Sequence, residues 1–436
     1  MTRPWGRALT AVVSAITAIA AAVLLLGPDP TGARPRAGAS GNRTALEPAS
    51  SGRWVGTWSA SPATFEPGAH TGYPRITIRN VVHVSVGGSA TRIHLSNVFG
   101  TMPLRITGAT VALAAAPSSP NAAGGTVRRL TFAGRTAVVV PAGRSAVSDP
   151  VRLRVPDSAD LLVTTYTPDR SGTVTYHPHA RQISYLARGD HHADLQGTAF
   201  TEQTPYWRYL SAVDVWSASA SGSVVALGDS ITDGITSTAG ANHRWTDFLA
   251  SRLLRTPRAP RLGVLNQGIS GNRVLSNAPR RTPGNGVAAL SRFDRDVAAG
   301  TGASVLVVEL GVNDILKPPQ QADPDRIAAG LRRITARAHA RGLRVVGATL
   351  MPFEGHRNWS PRLDAVRQAV NERIRSGRIF DAVVDFDRAL RDPLRPTRLR
   401  PVYDSGDHLH PSDRGFQAMA DSLDLNSLKA AAPAAL

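Results

Sequence analysis

The sequence predicts two unlike halves: an all-β region of short strands, then an α/β region built on a parallel sheet. Three observations predict this. From Trp54 to Thr167, segments such as RITIRNVVHVSV (75–86), TRIHLSNV (91–98) and PLRITGATVAL (103–113) alternate or run with β-branched residues. Gly, Pro, Asn and Ser punctuate them every ten or so residues, the spacing of a β-sandwich. After SASASGS (217–223) the rhythm changes: apolar runs without alternation are each followed by a stretch of helical period. Such runs belong to strands buried on both faces of a parallel sheet.

Arg3 and Arg7 precede an apolar stretch from Ala8 to Gly27, then Pro28, Pro30 and the small residues Ala37-Gly38-Ala39. This is the layout of a secretory signal peptide over 1–39, with an uncleaved membrane anchor as the alternative. It implies an exported protein with no stable membrane insertion once the leader is removed. Residues 40–53, rich in Gly, Ala and Ser, read as a linker. The β-rich domain is expected over 54–221, continuing through 126–132, 136–140, 151–155 and 161–167, with no helix before 220. The α/β domain is expected over 222–436. Its strands are 224–229, 261–268, 304–311, 343–352 and 380–387. Its helices are 244–254, 287–299, 323–342, 360–377 and 412–423.

The 436 residues carry a formal net charge of +18, and Lys317 and Lys429 are the only lysines among 50 basic residues. The arginines are scattered singly or in pairs, without a basic run or a nucleic-acid motif, so a solvated Arg-rich surface is expected rather than a nucleic-acid partner. The absence of cysteine excludes a catalytic cysteine, a disulfide framework and a thiolate metal site. Gly228–Gly234 lacks the Gly-Lys of a phosphate loop, and no G-x-S-x-G elbow occurs.

In a parallel sheet, ligands bind at the carboxyl ends of the strands. VVALGDSITDG (224–234) puts Ser230 at one such end. A serine needs a base to become a nucleophile, and the base needs an orienting group. DSGDHLHPSDRG (404–415) supplies them just before the last helix. Asp407 and His410 are three apart, within reach of one turn; Asp404 and His408 compete. Acyl transfer also needs donors for the developing oxyanion. NQGISGNR (266–273) offers the backbone amide of Gly271, ELGVNDI (309–315) the side-chain amide of Asn313, and Ser230 its own amide.

GDSITDG, GISGN, GVND and DHLH, in this order, resemble the four sequence blocks of the GDSL or SGNH serine hydrolases, over about 222–425. The resemblance implies a flavodoxin-like, doubly wound parallel sheet preceded here by a β-sandwich-like domain. It implies a triad of Ser230, His410 and Asp407, an oxyanion hole of Ser230, Gly271 and Asn313, no metal or other cofactor, and ester substrates. The β-rich half is similar to that of some exported two-domain members. An exported esterase acting on an acyl lipid or a short-chain ester is therefore expected. The rivals are a carbohydrate O-acetylesterase whose β-domain binds polysaccharide, and a non-catalytic binding protein. Three further features await placement. His177, His179, His191 and His192 form either a hydrogen-bonded loop or a metal site. Trp54 and Trp58 are core or a sugar platform. Asn272, Arg273 and Arg244 are substrate contacts or structural pairs.

Overall fold

Every residue of Gly222–Gly228 is buried, and this strand, β1, is the second of five in a parallel sheet. The structure is a computed structural model that describes residues 51–429. The expected signal peptide and residues 40–50 of the expected linker lie outside the described residues. β2 (Leu262–Gly268) flanks β1 on one side and β3 (Ala303–Glu309) on the other, followed by β4 (Arg344–Ala348) and β5 (Ala382–Val384). The order β2-β1-β3-β4-β5 reverses at β1, so a crevice opens beyond the carboxyl ends of β1 and β3. This is the flavodoxin-like fold expected.

The helices are α1 (Ser230–Asp233), α2 (Trp245–Arg255), α3 (Ala289–Phe293), α4 (Val312–Leu316), α5 (Pro324–His339), α6 (Pro361–Arg375), α7 (Phe386–Leu390) and α8 (Asp413–Ser422). They pack in two groups, α2 with α8 and α7, and α5 with α6 and α3. Pro at the first turn and an Asp or Ser cap start α5 and α6: Asp323 accepts from the Asp325 amide and Ser360 from that of Leu363. Three expected elements differ. The strand foreseen at 343–352 ends at Ala348. The strand foreseen at 380–387 ends at Val384, because Asp385 takes the Arg388 amide and caps α7. The helix foreseen at 287–299 is α3 followed by a π-turn, Asp294–Ala298.

Among the described residues no helix precedes Ser230. The β-rich half has a five-stranded and a six-stranded antiparallel sheet, joined by a small sheet of Thr64–Phe65, Thr175–His177 and Trp207–Arg208. Alternate residues of each strand face opposite sides. Along Asp160–Thr167, Leu161 and Val163 enter a core shared with Ile93, Val213 and Val215 of the other sheet, while Leu162 joins a small outer cluster with Val81 and Phe200. A separate core, from Val224 to Leu428, surrounds the parallel sheet.

The two halves meet along β2, an edge strand, through polar contacts. The amide of Val264 donates to Ser85 Oγ at 2.9 Å, and Gln267 Nε2 to Ser59 Oγ at 2.9 Å. Ser223 Oγ donates to the Gly56 carbonyl at 3.0 Å. The backbones approach so closely at Gly263 that a side chain there would strike the Gly56 carbonyl. An edge strand left bare is a template for aggregation; here the β-rich half covers it.

Candidate active site

β1 ends at Gly228, and the chain turns into α1 at once. Asp229 caps this short helix, its Oδ1 accepting from the Ile231 amide at 3.1 Å, and Gly234 closes it in the left-handed conformation. Ser230 is the first residue of α1, so its own N–H has no acceptor within the helix. Its side chain faces the segment before α8. His410 Nε2 lies 2.8 Å from Ser230 Oγ, and His410 Nδ1 lies 2.6 Å from Asp407 Oδ2. Asp407 Oδ1 accepts from the amides of Leu409 (3.0 Å) and His410 (2.8 Å), which fixes the carboxylate on the turn. Burial alone raises a carboxyl pKa, but the His410 contacts outweigh it and hold Asp407 well below the ordinary range. The competing pair also forms, with His408 Nδ1 2.6 Å from Asp404 Oδ2, yet no His408 bond to Ser230 is made.

Asn313 sits in α4, directly after β3, and its Nδ2 donates to Asp229 Oδ2 at 3.0 Å. An amide nitrogen carries two hydrogens, so one remains for the cavity that Asn313 lines with Ser230 and Gly271. Gly271 has φ +78°, and a Cβ there would strike Lys317 Nζ and the Asn285 side chain. The left-handed φ favours glycine here, and a side chain would have to displace Lys317 and Asn285 from the cavity wall. Among the described residues no protein acceptor takes the Gly271 N–H. The cavity measures about 230 Å³; Asn285, Asn358, Lys317, His356 and Arg357 add polar walls, and Ile235, Leu316 and Leu409 apolar ones.

Behind the serine lie two buried carboxyl groups that reading the sequence missed. Burial pushes Asp229 up to about 6, against the Ile231 amide and the nearby His410 and Lys317. Burial first, and Asp229 second, push Glu309 well above the usual carboxylate range, while Thr232 Oγ1 donates to it at 3.0 Å. No motif announced Glu309, because it looks like the last residue of a strand. Lys317 was noticed only as a rare lysine. Burial, with Arg273 and Arg357 nearby, lowers its pKa, and Asp229 partly restores it.

The other candidates separate. Asn272 donates to the carbonyls of Asn285 and Val287 and accepts from Arg292; Arg244 pairs with Asp247 at 2.9 Å; Arg273 donates to the Pro318 carbonyl. None of the three lines the serine cavity. His191 and His192 pair with Asp194 and Asp190 on the surface, whereas His177 is buried against Asp233. Trp58 packs edge-on against Trp207, and Trp54 against Trp216.

Residues 226–418 match the GDSL-like Lipase/Acylhydrolase family. The chain carries a domain of that family. Comparison with curated proteins returned no match. Similar solved structures include a lipolytic protein of the G-D-S-L family from Desulfitobacterium hafniense, at 20% identity and TM-score 0.35, covering 46% of this chain and 97% of that one. An acetylxylan esterase from Geobacillus stearothermophilus, in a catalytic mutant form, matches at 20% identity and TM-score 0.35, covering 48% and 94%. A carbohydrate acetylesterase from Sinorhizobium meliloti matches at 14% identity and TM-score 0.36, covering 46% and 94%. The family match begins at the fifth residue of β1 and ends inside α8, so it leaves the β-rich half outside.

Proposed function

We propose that this protein is an exported serine esterase that hydrolyses short-chain carboxylic esters of polar alcohols. The observation that carries the reading is the unbroken relay Asp407–His410–Ser230, opening on a cavity with donors left free. His410 takes the proton of Ser230 as Oγ attacks the ester carbonyl. The oxyanion meets the amides of Ser230 and Gly271 and the second hydrogen of Asn313 Nδ2. His410 returns the proton to the departing alcohol, and an acyl-enzyme remains. Water then attacks with His410 again as base, and the carboxylic acid leaves. Asp407 holds the imidazole with Nε2 towards the serine throughout. At about 230 Å³ the cavity is smaller than the usual ~300–1,000 Å³ of small-molecule sites. Its amide and cationic walls suit a short acyl group on a hydroxyl-rich alcohol, such as an acetylated carbohydrate, better than a long acyl lipid.

A panel of p-nitrophenyl esters of graded acyl length beside acetylated sugars tests this. Turnover should be greatest for acetyl and fall with length, and chelators should leave it intact. Ser230→Ala should lower turnover by about 10⁴–10⁶, and a serine-directed phosphonate should label Ser230 alone. Hydrolysis retained in Ser230→Ala overturns the assignment, and absence of turnover on every ester favours a binding protein.

A further inference from the structure

His177 belongs to the β-rich half, in the strand Thr175–His177, yet its ring is fully enclosed beside the nucleophile turn. Nδ1 lies 2.9 Å from the Ser61 carbonyl and Nε2 lies 2.9 Å from Asp233 Oδ1. Both ring nitrogens face acceptors, so the ring carries both protons and meets Asp233 as an imidazolium. Burial disfavours that charge, but Asp233 outweighs it; conversely the carboxylate of Asp233 is held below its ordinary range against burial by His177. His179, Arg181, Arg244 and Arg292 are other charged or titratable groups acting on this pair.

Asp233 is the last residue of α1, three after the serine. Its other oxygen, Oδ2, accepts from the Ser270 amide at 3.0 Å and from Ser270 Oγ at 2.5 Å. Ser270 immediately precedes Gly271. One carboxylate thus ties together the serine's helix, the turn that offers the Gly271 amide, and a cation from the other half. Ser61 extends the tie. Arg292 Nη1 donates to Ser61 Oγ at 3.0 Å and to the Gln267 carbonyl at 2.8 Å, Arg292 Nη2 donates to the Gly228 carbonyl at 3.0 Å, and Arg292 Nε donates to Asn272 Oδ1 at 3.0 Å. The ends of β1 and β2 are therefore both fastened to the loop after Arg53–Ser59.

We propose that the β-rich half is a working part of the hydrolytic site, and that His177 is a positioning residue that acts through Asp233 to hold the Ser270–Gly271 turn against the helix of Ser230. This rests on the reading of Ser230 as nucleophile and Gly271 as oxyanion donor. Without His177 the Asp233 carboxylate is buried without its cation and the turn loses its anchor. An oxyanion donor displaced by about 1 Å costs on the order of 10²-fold in rate.

The test uses the whole chain. His177→Ala, His177→Gln and Ser270→Ala are assayed on a short p-nitrophenyl ester, with folded enzyme counted by phosphonate titration. Gln places an amide N–H where Nε2 stood and so retains the donor to Asp233. Per folded molecule, kcat should fall about 10–100-fold in His177→Ala and less in His177→Gln, with KM within about threefold. Arg79→Met is the comparison for stability alone. It removes a buried β-sheet arginine that donates to Thr164 and to the carbonyls of Pro120 and Asp194, and should keep the wild-type kcat. Wild-type kcat in folded His177→Ala or in Ser270→Ala overturns the proposal. So does an equal kcat loss in Arg79→Met. Ser230→Ala separates the two readings. Retained hydrolysis there overturns the nucleophile itself, whereas lost hydrolysis there with wild-type kcat in His177→Ala overturns the clamp alone.

Discussion

Asp229 and Asp233 bracket the same four-residue turn around Ser230, both wholly buried, and they are driven in opposite directions. Asp229 faces the parallel sheet, where it meets an amide and a second acid, and its pKa rises to about 6. Asp233 faces the β-rich half, where it meets an imidazolium, and its pKa falls. The difference lies in which half supplies the partner. The α/β half brings amides, cations such as Lys317 and the reactive groups to strand ends, where they converge. The β-rich half keeps ion pairs such as Glu66–Arg208 and Arg92–Asp214 among its own strands and sends the His177 imidazolium to Asp233. Chemistry and scaffold are thus divided between the halves, with His177 the exception.

The comparison is sharpened most by the two adjacent acid–histidine pairs. His410→Ala and Asp407→Asn should each lower kcat/KM by about 10³ or more, because only His410 touches Ser230. His408→Ala and Asp404→Asn should cost under about tenfold, since their bond is local to the loop. Steady-state kinetics on one activated ester decides this. A His408 effect equal to that of His410, at equal thermal stability, would break the assignment.

Away from His177, the β-rich half should respond in stability and not in chemistry. Glu66 accepts from Arg208 Nε at 2.6 Å and from Arg208 Nη2 at 2.5 Å, both side chains being buried. Glu66→Gln leaves that arginine without its counter-charge, which typically costs about 3–5 kcal/mol. Denaturant titration should show the loss while kcat per folded molecule stays within about twofold. A large kcat change with unaltered stability would erase the distinction between the halves. Next in size, Asn313→Ala should lower kcat by about 10²–10³, the cost of one oxyanion donor, with KM little moved. A rise in KM at constant kcat would make Asn313 a ground-state contact instead.

The parallel sheet was legible because its strands are continuous apolar runs, and a strand end in such a sheet is where ligands bind. Ser230, Gly271 and Asn313 stand at the ends of three runs, so the residues that meet could be named before their distances were known. Spacing alone allowed both Asp407–His410 and Asp404–His408, and both pairs form; the choice of His410 as the partner of Ser230 came from the family resemblance. What could not be read depends on contacts distant in sequence. His177 is 56 residues from Asp233 and Ser61 is 231 from Arg292, and alternation along a strand reports burial without naming the partner. Taken along the chain, His177 is one of several histidines in a polar loop; its neighbours His191 and His192 point elsewhere. The strand foreseen through Asp387 failed for a local reason. Asp385 caps a helix better than it extends a sheet, and the apolar run before it concealed the stop.

The smallest effect concerns pH, and it probes the sheet side of the comparison away from the serine. Asp314 in α4 is buried and accepts from the amides of Val274 (2.8 Å) and Leu275 (3.0 Å). Burial, opposed by those amides and by Arg273, pushes it up to about 6. A folded-state pKa above the unfolded value near 3.8 means that the unfolded chain releases this proton first. Its contribution to stability is therefore fully present below about pH 4, declines as pH rises to about 6, and is constant above. The decline is at most about 3 kcal/mol, from a shift of roughly two pH units at ~1.4 kcal/mol each. Asn cannot ionise, so Asp314→Asn removes this slope. With one carbonyl oxygen for two amide donors, it should be clearly less stable than wild type at pH 4 and approach it by pH 7. Unfolding free energies of the two proteins between pH 4 and 7 test this, because all other titrations cancel in the difference. A gap that stays constant, or widens with pH, would show that Asp314 is ionised in the folded protein throughout, as Asp233 is expected to be beside His177.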